Sequence, residues 1–372
     1  MSSARTSYVA LSGGVGGAKL SLGLAQLLAP VIPEAEAQPR LSGTSCHEPP
    51  RAGPGSAQSR CSATAPAGMT GGCLTIIANT GDDFEHLGLH VSPDVDTTLY
   101  TLAGVVDPDT GWGRREETWS FMQAIEGLVG PTWFKLGDRD LATHVERTRR
   151  LRAGETPTAI TAHLADKLGI VVRILPMSDA PVRTLVDSDG GTLAFQDYFV
   201  RRQCRPVVRS LRYEGAAAAR PTPQVLDALS APGLAGVIIC PSNPWLSIDP
   251  ILAVPGLREA LRASGAPVIA VSPIVGGKAV KGPTAKIMAE LGLSPDAAAI
   301  ARHYAGLIDG LVLDVQDEAL AGAIAVPTMV ANTLMHTLDD KIALARACLA
   351  FCDRLAGRKR PPARRRTAGA AS

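Results

Sequence analysis

Four carboxylates, Asp82, Asp83, Asp94 and Asp96, fall within fifteen residues of one another. Hard oxygen ligands of this kind suit Mg2+ held beside a phosphate, so metal-assisted phosphoryl chemistry is the first reaction class they bring forward. For Asp94 and Asp96 a second reading stands beside it. Ser92-Pro93 reads as a helix N-cap followed by proline at the first helical position, where acidic residues favour the helix dipole without any ligand. Asp82 and Asp83 end the run Asn79-Thr80-Gly81-Asp82-Asp83, where no helix start accounts for them.

Backbone donors come next. In Ser12-Gly13-Gly14-Val15-Gly16-Gly17-Ala18-Lys19 the four glycines let main-chain amides approach anionic oxygens, and Lys19 adds a mobile charge one turn into a helix. A tight strand-to-helix turn explains the same glycines equally well. The loop is not a Walker motif, because Ala18-Lys19-Leu20 stands where Gly-Lys-Ser/Thr is needed, and its glycines do not spell GxGxxG. An NAD-dependent or flavin-like oxidoreductase therefore lacks its dinucleotide fingerprint. Two further polar loops, Pro241-Ser242-Asn243-Pro244 and Ser272-Pro273-Ile274-Val275-Gly276-Gly277-Lys278, follow apolar runs. The segment Trp133-Phe134-Lys135-Leu136-Gly137-Asp138-Arg139-Asp140 offers aromatic surface for a planar ring and Lys135 or Arg139 for its polar edge. Asp138 or Asp140 alternatively caps a helix beginning near Leu141.

These residues need a scaffold that delivers loops to one edge. Strands are expected at Tyr8 to Leu11, Leu74 to Ala78, Gly236 to Cys240 and Pro267 to Val271, with a helix from the glycine loop through Leu28. Alternating strands and helices predict an α/β, Rossmann-like, mostly parallel sheet with helices on both faces, whose ligands sit at the carboxyl edge. Residues 1–32 form the first βα unit, 33–72 a flexible insertion rich in Ala, Pro, Gly, Ser and Arg, and 73–106 core. An inserted α+β subdomain is expected over 107–226, with Asp187 to Gly191 as a hairpin turn. Core resumes over 227–355, and 356–372 is a disordered basic tail.

Composition narrows the classes. The net charge is +2, yet six positive charges sit in the last fifteen residues, so the body is net acidic and shows no basic face for nucleic acid. No apolar run approaches the roughly 18 residues that span a bilayer, and the N-terminus lacks the features of a signal peptide. A cytoplasmic protein with neither membrane nor nucleic-acid partner is expected. Seven cysteines at irregular spacing fit reduced thiols. Cys348 and Cys352 read as core, and Cys46-His47 with Cys61 match no zinc spacing. His86, His90 and His144 read as packing or hydrogen-bonding residues.

Taken together, the segments resemble the 2-phospholactate or phosphoenolpyruvate transferases of coenzyme F-420 biosynthesis. The resemblance runs from the glycine loop through Asn79 to Phe84, His86 to Thr97, Asp107-Pro108-Asp109-Thr110-Gly111-Trp112-Gly113, Lys135 to Asp140, Pro176 to Asp179, Gln196 to Arg202, Pro241 to Pro244 and Ser272 to Lys278. It covers nearly the whole chain outside the insertion and the tail. It implies transfer of a phosphorylated three-carbon acid from a guanylylated diphosphate donor to the ribityl hydroxyl of the deazaflavin Fo, with release of GMP, in a homodimer. On this resemblance Asp82, Asp83, Asp94 and Asp96 hold Mg2+, and Asp82, Asp83 and Asp96 serve catalysis. Asp96 and Lys135 contact Fo. The nucleotide and its phosphates fall to Gly13, Gly14, Gly16, Gly17, Lys19, Asn79, Ser242, Asn243, Pro273, Ile274, Val275, Gly276, Gly277 and Lys278. Asn332 stands where the family places an aspartate. The competing reading is a non-catalytic nucleotide-sugar-binding regulator of the related family, in which the segments Asp107 to Gly113 and Lys135 to Asp140 would be superfluous.

Overall fold

The computed structural model describes residues 6–28 and 72–359. Most of the expected 33–72 insertion, with Cys46, His47 and Cys61, lies outside the described residues, as does the tail from residue 360.

The apolar runs found in the sequence become short strands of a parallel sheet. β1 (Ser7–Ser12) leads into α1 (Gly14–Leu28), and β2 (Cys73–Ala78) is followed by the small hairpin β3 (Phe84–His86) and β4 (Leu89–Val91). Then come α2 (Pro93–Leu102), α3 (Ser120–Gly127), α4 (Asp138–Arg152), α5 (Pro157–Lys167) and β5 (Arg173–Pro176). A three-stranded antiparallel sheet of β6 (Arg183–Ser188), β7 (Gly191–Ala194) and β8 (Val208–Glu214) has the expected turn between Ser188 and Gly191. The second half holds α6 (Pro223–Leu229), β9 (Leu234–Ile239), α7 (Asp249–Leu252), α8 (Leu257–Ala263) and β10 (Val268–Val271). The hairpin β11 (Ile274–Val275) and β12 (Lys278–Ala279), α9 (Thr284–Glu290), α10 (Ala297–His303), β13 (Gly310–Asp314), β14 (Thr328–Ala331) and α11 (Leu338–Lys359) complete it.

The main sheet runs β14-β13-β10-β9-β1-β2-β5, with parallel pairing throughout. The chain steps outward from β1 through β2 to β5, then returns to the other side of β1 with β9. The β1/β9 boundary is thus the topological switch point, where an open parallel sheet leaves a crevice at its carboxyl edge. β5 belongs to this sheet although it lies in the 107–226 stretch expected to be inserted. Its Ile174 and Leu175 are 2% exposed, and burying them is gained by pairing with β2.

Alternation along the strands divides the core into two clusters. Val9, Leu11, Ile77, Val237 and Ile239 contribute to one, and Tyr8, Ala10, Ile76, Ala78 and Ile238 to the other. The second is covered by α1 and α11, and here close approach demands glycine. A Cβ on Gly23 of α1 would run into the Lys341 carbonyl of α11, and one on Gly236 of β9 would lie 2.6 Å from Cys352 Sγ. Cys348 and Cys352 are fully buried in this seam and act as core, as expected.

A buried ion pair fixes α4 against α2. Both oxygens of Asp96 accept from Arg147, Oδ2 at 3.0 Å and Oδ1 in a still closer contact, and His144 Nδ1 lies 3.2 Å from Arg147 Nη1. Asp140 accepts from the Tyr100 hydroxyl at 2.7 Å and lies 3.2 Å from His144 Nε2. Burial acts to lower the affinity of Arg147 for its proton, but Asp96 outweighs it and holds the guanidinium above its usual range.

Gly23→Val is expected to lower stability by about 1–3 kcal/mol, because the obstacle is a helix carbonyl rather than a movable side chain. In urea unfolding, Gly127→Ala on α3, where a Cβ meets nothing within 4 Å, should stay within about 0.5 kcal/mol of the parent. Asp96→Ala leaves Arg147 buried and unpaired, so a loss of about 3 kcal/mol or more is expected. An unfolding midpoint unchanged by Asp96→Ala would contradict the clamp.

Candidate active site

The loops that leave the carboxyl ends of β1, β2 and β9 meet at the switch point. Asn79, the first residue after β2, is fully buried, and its Nδ2 donates to Asp82 Oδ1 at 3.0 Å, Asp94 Oδ2 at 2.9 Å and the Leu246 carbonyl at 3.3 Å. Its Oδ1 accepts from the Gly81 amide at 2.7 Å. One side-chain amide therefore draws two carboxylates together. Asp94 Oδ1 accepts from the Gly14 amide at 2.7 Å, which ties α2 to the first turn of α1.

Two buried carboxylates this close hold their protons tightly. Burial first, then the charges of Asp94 and Asp83, push Asp82 well above the usual carboxylate range. Burial raises Asp94 to about 6, against the opposing hydrogen bonds from Asn79 and Gly14. The dipole explanation for Asp94 is redirected, because it serves the N-terminus of α1 rather than that of its own helix. Ser92 likewise makes no side-chain cap, since its hydroxyl is drawn to Asp83 Oδ2 at 2.9 Å.

The four acidic residues do not form one cage. Asp83 Oδ2 is also 3.1 Å from His90 Nε2, while its buried Oδ1 has no partner. Asp96 is buried and paired with Arg147, so its carboxylate is shared with α4 instead of with Asn79. Among the described residues no three His, Cys, Asp or Glu side chains are arranged to hold a metal ion. The pair Asp82 and Asp94 still fits Mg2+, which is held by one or two carboxylates and completes its shell with water and substrate phosphates.

The glycine loop packs as closely as it turns. Gly13 exchanges hydrogen bonds with Ser242, whose Oγ accepts from the Gly13 amide at 3.2 Å and donates to the Gly13 carbonyl at 2.7 Å. A Cβ on Gly16 would strike the Pro241 carbonyl, and one on Gly17 would lie 2.5 Å from Ser12 Oγ. Lys19 donates to the Met335 carbonyl at 2.9 Å, and burial followed by the charges of Lys341 and Lys281 pulls its ammonium below the usual range. Asn332, exposed, turns the chain by accepting from the Leu334 amide at 3.1 Å, just ahead of that carbonyl.

The remaining expected nucleotide contacts divide. Asn243 Oδ1 caps the π-helical turn Pro244–Ile248, accepting from Trp245 and Leu246 amides at 3.0 and 3.1 Å, and its Nδ2 donates to Thr284. Pro273, Ile274 and Val275 are buried, so their side chains belong to the core and only their backbone is left for a ligand. Gly276 and Gly277, at φ 57° and 74°, form the tip of the β11/β12 hairpin, and Lys278 is exposed. The Gly276 amide donates to Asp317 at 3.1 Å.

Beside the acidic loop stands an aromatic wall. Trp133 and Phe134 contact Phe84 and His86 with ring centroids 4.8–6.1 Å apart, and burial pulls the His86 imidazole below its usual range. Lys135, next to the wall, is exposed. Asp138 caps α3 instead of its own helix, accepting from the Ser120 and Phe121 amides at 3.1 Å. Glu117 returns the service to α4 by accepting from Arg139 and Asp140 amides at 2.7 and 2.8 Å. Gln196, in a segment that carried the resemblance but was given no role, donates from Nε2 to the Asp82 carbonyl at 3.3 Å, while sequence reasoning missed Arg147 and Ser247, which crowds Gly13. No local signal marks them, since each acts across a long separation.

Comparison with known proteins bears on this arrangement. The family model for 2-phospho-L-lactate transferase CofD matches residues 8–340. A phosphoenolpyruvate transferase of Streptomyces griseus is 43% identical over 298 residues, covering 75% of this chain and 90% of its own length. One from Mycobacterium avium is 38% identical over 328 residues, covering 85% of this chain and 90% of its own length. A crystal structure of a UPF0052 family member from Bacillus halodurans shares the fold, with a TM-score of 0.54, 13% identity and coverage of 93% of this chain and 99% of that one. Among the described residues no helix is long and apolar enough to cross a membrane. With the glycine loop, the acidic loop and the aromatic segment all inside the matched range, the chain belongs to the 2-phospho-L-lactate transferase CofD family.

Proposed function

We propose that the protein transfers a phosphorylated three-carbon acid from a guanylylated diphosphate donor to the terminal ribityl hydroxyl of Fo. The hydroxyl oxygen bonds to the acid-side phosphorus, the bond from that phosphorus to the bridging oxygen breaks, and GMP departs with the bridging oxygen. The observation that carries this reading is the pair Asp82 and Asp94, held on one amide against the first turn of α1 at the switch point. Transfer at a diphosphate is limited by bringing an alcohol into line with a highly charged phosphorus, so positioning and charge neutralisation dominate catalysis.

In this reading Asp82 and Asp94 hold Mg2+, which when bound neutralises phosphate charge and lowers the pKa of a coordinated hydroxyl. The β1 and β9 loops and the Gly276-Gly277 tip face the nucleotide. Trp133 and Phe134 border the deazaflavin ring, with Lys135 at its polar edge. Asp83, whose Oδ1 has no hydrogen-bond partner, is the carboxylate left to take the hydroxyl proton. Asp96 acts through Arg147 by fixing α4 behind the aromatic wall.

Incubated with Fo, Mg2+ and each guanylylated acid in turn, the protein is expected to release GMP with at least one donor and give the deazaflavin phosphodiester by mass. Failure with every donor would sink the proposal. Lys135→Ala should raise KM for Fo more than for the donor, and equal losses would remove Lys135 from the acceptor site. A carboxylate whose folded pKa is raised contributes most to stability below its unfolded pKa, and that contribution is lost as pH climbs from 3.8 towards about 6. Mg2+ must displace the same proton, so its affinity measured by calorimetry should increase as pH rises through about 6. A pH-independent affinity would contradict the assignment of Asp94.

A further inference from the structure

The segment Asp107 to Gly113 has so far no role, yet it is built to hold one shape. Asp107 Oδ1 accepts from the Asp109 and Thr110 amides at 2.8 and 3.1 Å, and Gly111 and Gly113 take φ values of 75° and 68°. A bridge between Val106 and Arg114 closes its base. The loop lies across the start of α1. A Cβ on Gly111 would be 2.7 Å from Val15 Cγ1 and 3.3 Å from Lys281 Nζ, and Lys281 donates to the Thr110 carbonyl.

Arg114 emerges from this loop over α2. Its Cζ lies 5.5 Å from the ring centroid of Tyr100, which stands one helical turn beyond Asp96 on the helix that begins beside Asp94. The side chain is half-buried, its Nε is fully shielded from solvent, and that N–H has no hydrogen-bond partner. Among the described residues Arg114 makes no ion pair. Arg147, which also faces α2, is by contrast paired with Asp96. A guanidinium held on an aromatic ring with no carboxylate beside it can present its outer N–H groups to an anion that the chain does not supply.

We propose that Arg114 is a binding residue for the donor's diphosphate, taking a phosphate oxygen on the side of the site bounded by Val15 and α2. The assignment rests on the transfer reaction proposed above. A guanidinium matches phosphate through parallel N–H donors, and stacking on Tyr100 fixes its plane before the ligand arrives. The loop from Asp107 to Gly113 then has a purpose, which is to bring that side chain to the diphosphate while Lys281 latches the loop shut.

The test compares the wild type with Arg114→Gln, Arg114→Lys and Arg114→Met, the last keeping an apolar stem over Tyr100. Calorimetry measures guanosine diphosphate, and deazaflavin fluorescence measures Fo. Expected results are a loss of about tenfold or more in diphosphate affinity for Arg114→Gln and Arg114→Met, partial recovery in Arg114→Lys, and unchanged Fo affinity. If Arg114→Gln does not fold, Arg114→Met carries the same comparison. Diphosphate affinity equal to wild type in a folded variant would overturn the assignment and leave the transfer reaction standing. Loss confined to Fo would overturn it in favour of an acceptor contact. A wild type that binds neither guanosine diphosphate nor any guanylylated acid would remove the reaction and this inference together.

Discussion

The site depends on one amide group. Asn79 Nδ2 reaches Asp82 and Asp94 together, so two carboxylates from separate elements are buried side by side against the glycine loop. Taking two like charges out of water costs several kcal/mol per ion unless they are compensated, and neutral hydrogen bonds from an amide compensate only in part. Burial therefore raises the proton affinity of both groups. A divalent cation with phosphate oxygens would relieve the same strain more fully.

The surrounding elements keep that pair in place. Asn79 can serve both carboxylates only because its Oδ1 is fixed by the Gly81 amide, and Gly81 is fixed in turn by the Thr184 amide donating to its carbonyl at 2.6 Å. Thus the small antiparallel sheet reaches the site through its first strand. Gln196, ahead of the π-helical turn Asp197–Arg201, holds the Asp82 carbonyl, and the π-helical turn at Pro244–Ile248 supplies the Leu246 carbonyl. Irregular helical turns of this type occur often at functional sites. Both here abut the acidic loop.

The sequence carried the scaffold well because apolar runs and glycines report local constraints. β1, β2, β9 and β10, the turn at Ser188 to Gly191 and the meeting of the β1, β2 and β9 loops follow from such runs and from the rule for open parallel sheets. The family resemblance agrees with the family to which the chain belongs. Side-chain partnerships were less legible. Nothing near Asp96 in sequence reveals its partner Arg147, 51 residues away. Ile274 and Val275 looked like loop residues, yet they are buried at 0% and 9% exposure, because the chain makes a short hairpin over the core. Ser92 had the type and position of a cap, but an acidic neighbour across the β3/β4 hairpin competes for its hydroxyl.

Asp82 and Asp94 are proposed to form a cation site shared with a diphosphate at the boundary of β1 and β9. A crystal structure of the protein soaked with Mn2+ in place of Mg2+, together with guanosine diphosphate, tests it most directly through the anomalous signal of the metal. One metal peak is expected, in contact with both carboxylates and with phosphate oxygens beside the first turn of α1. A diphosphate bound elsewhere, or a metal bound without either aspartate, would contradict it.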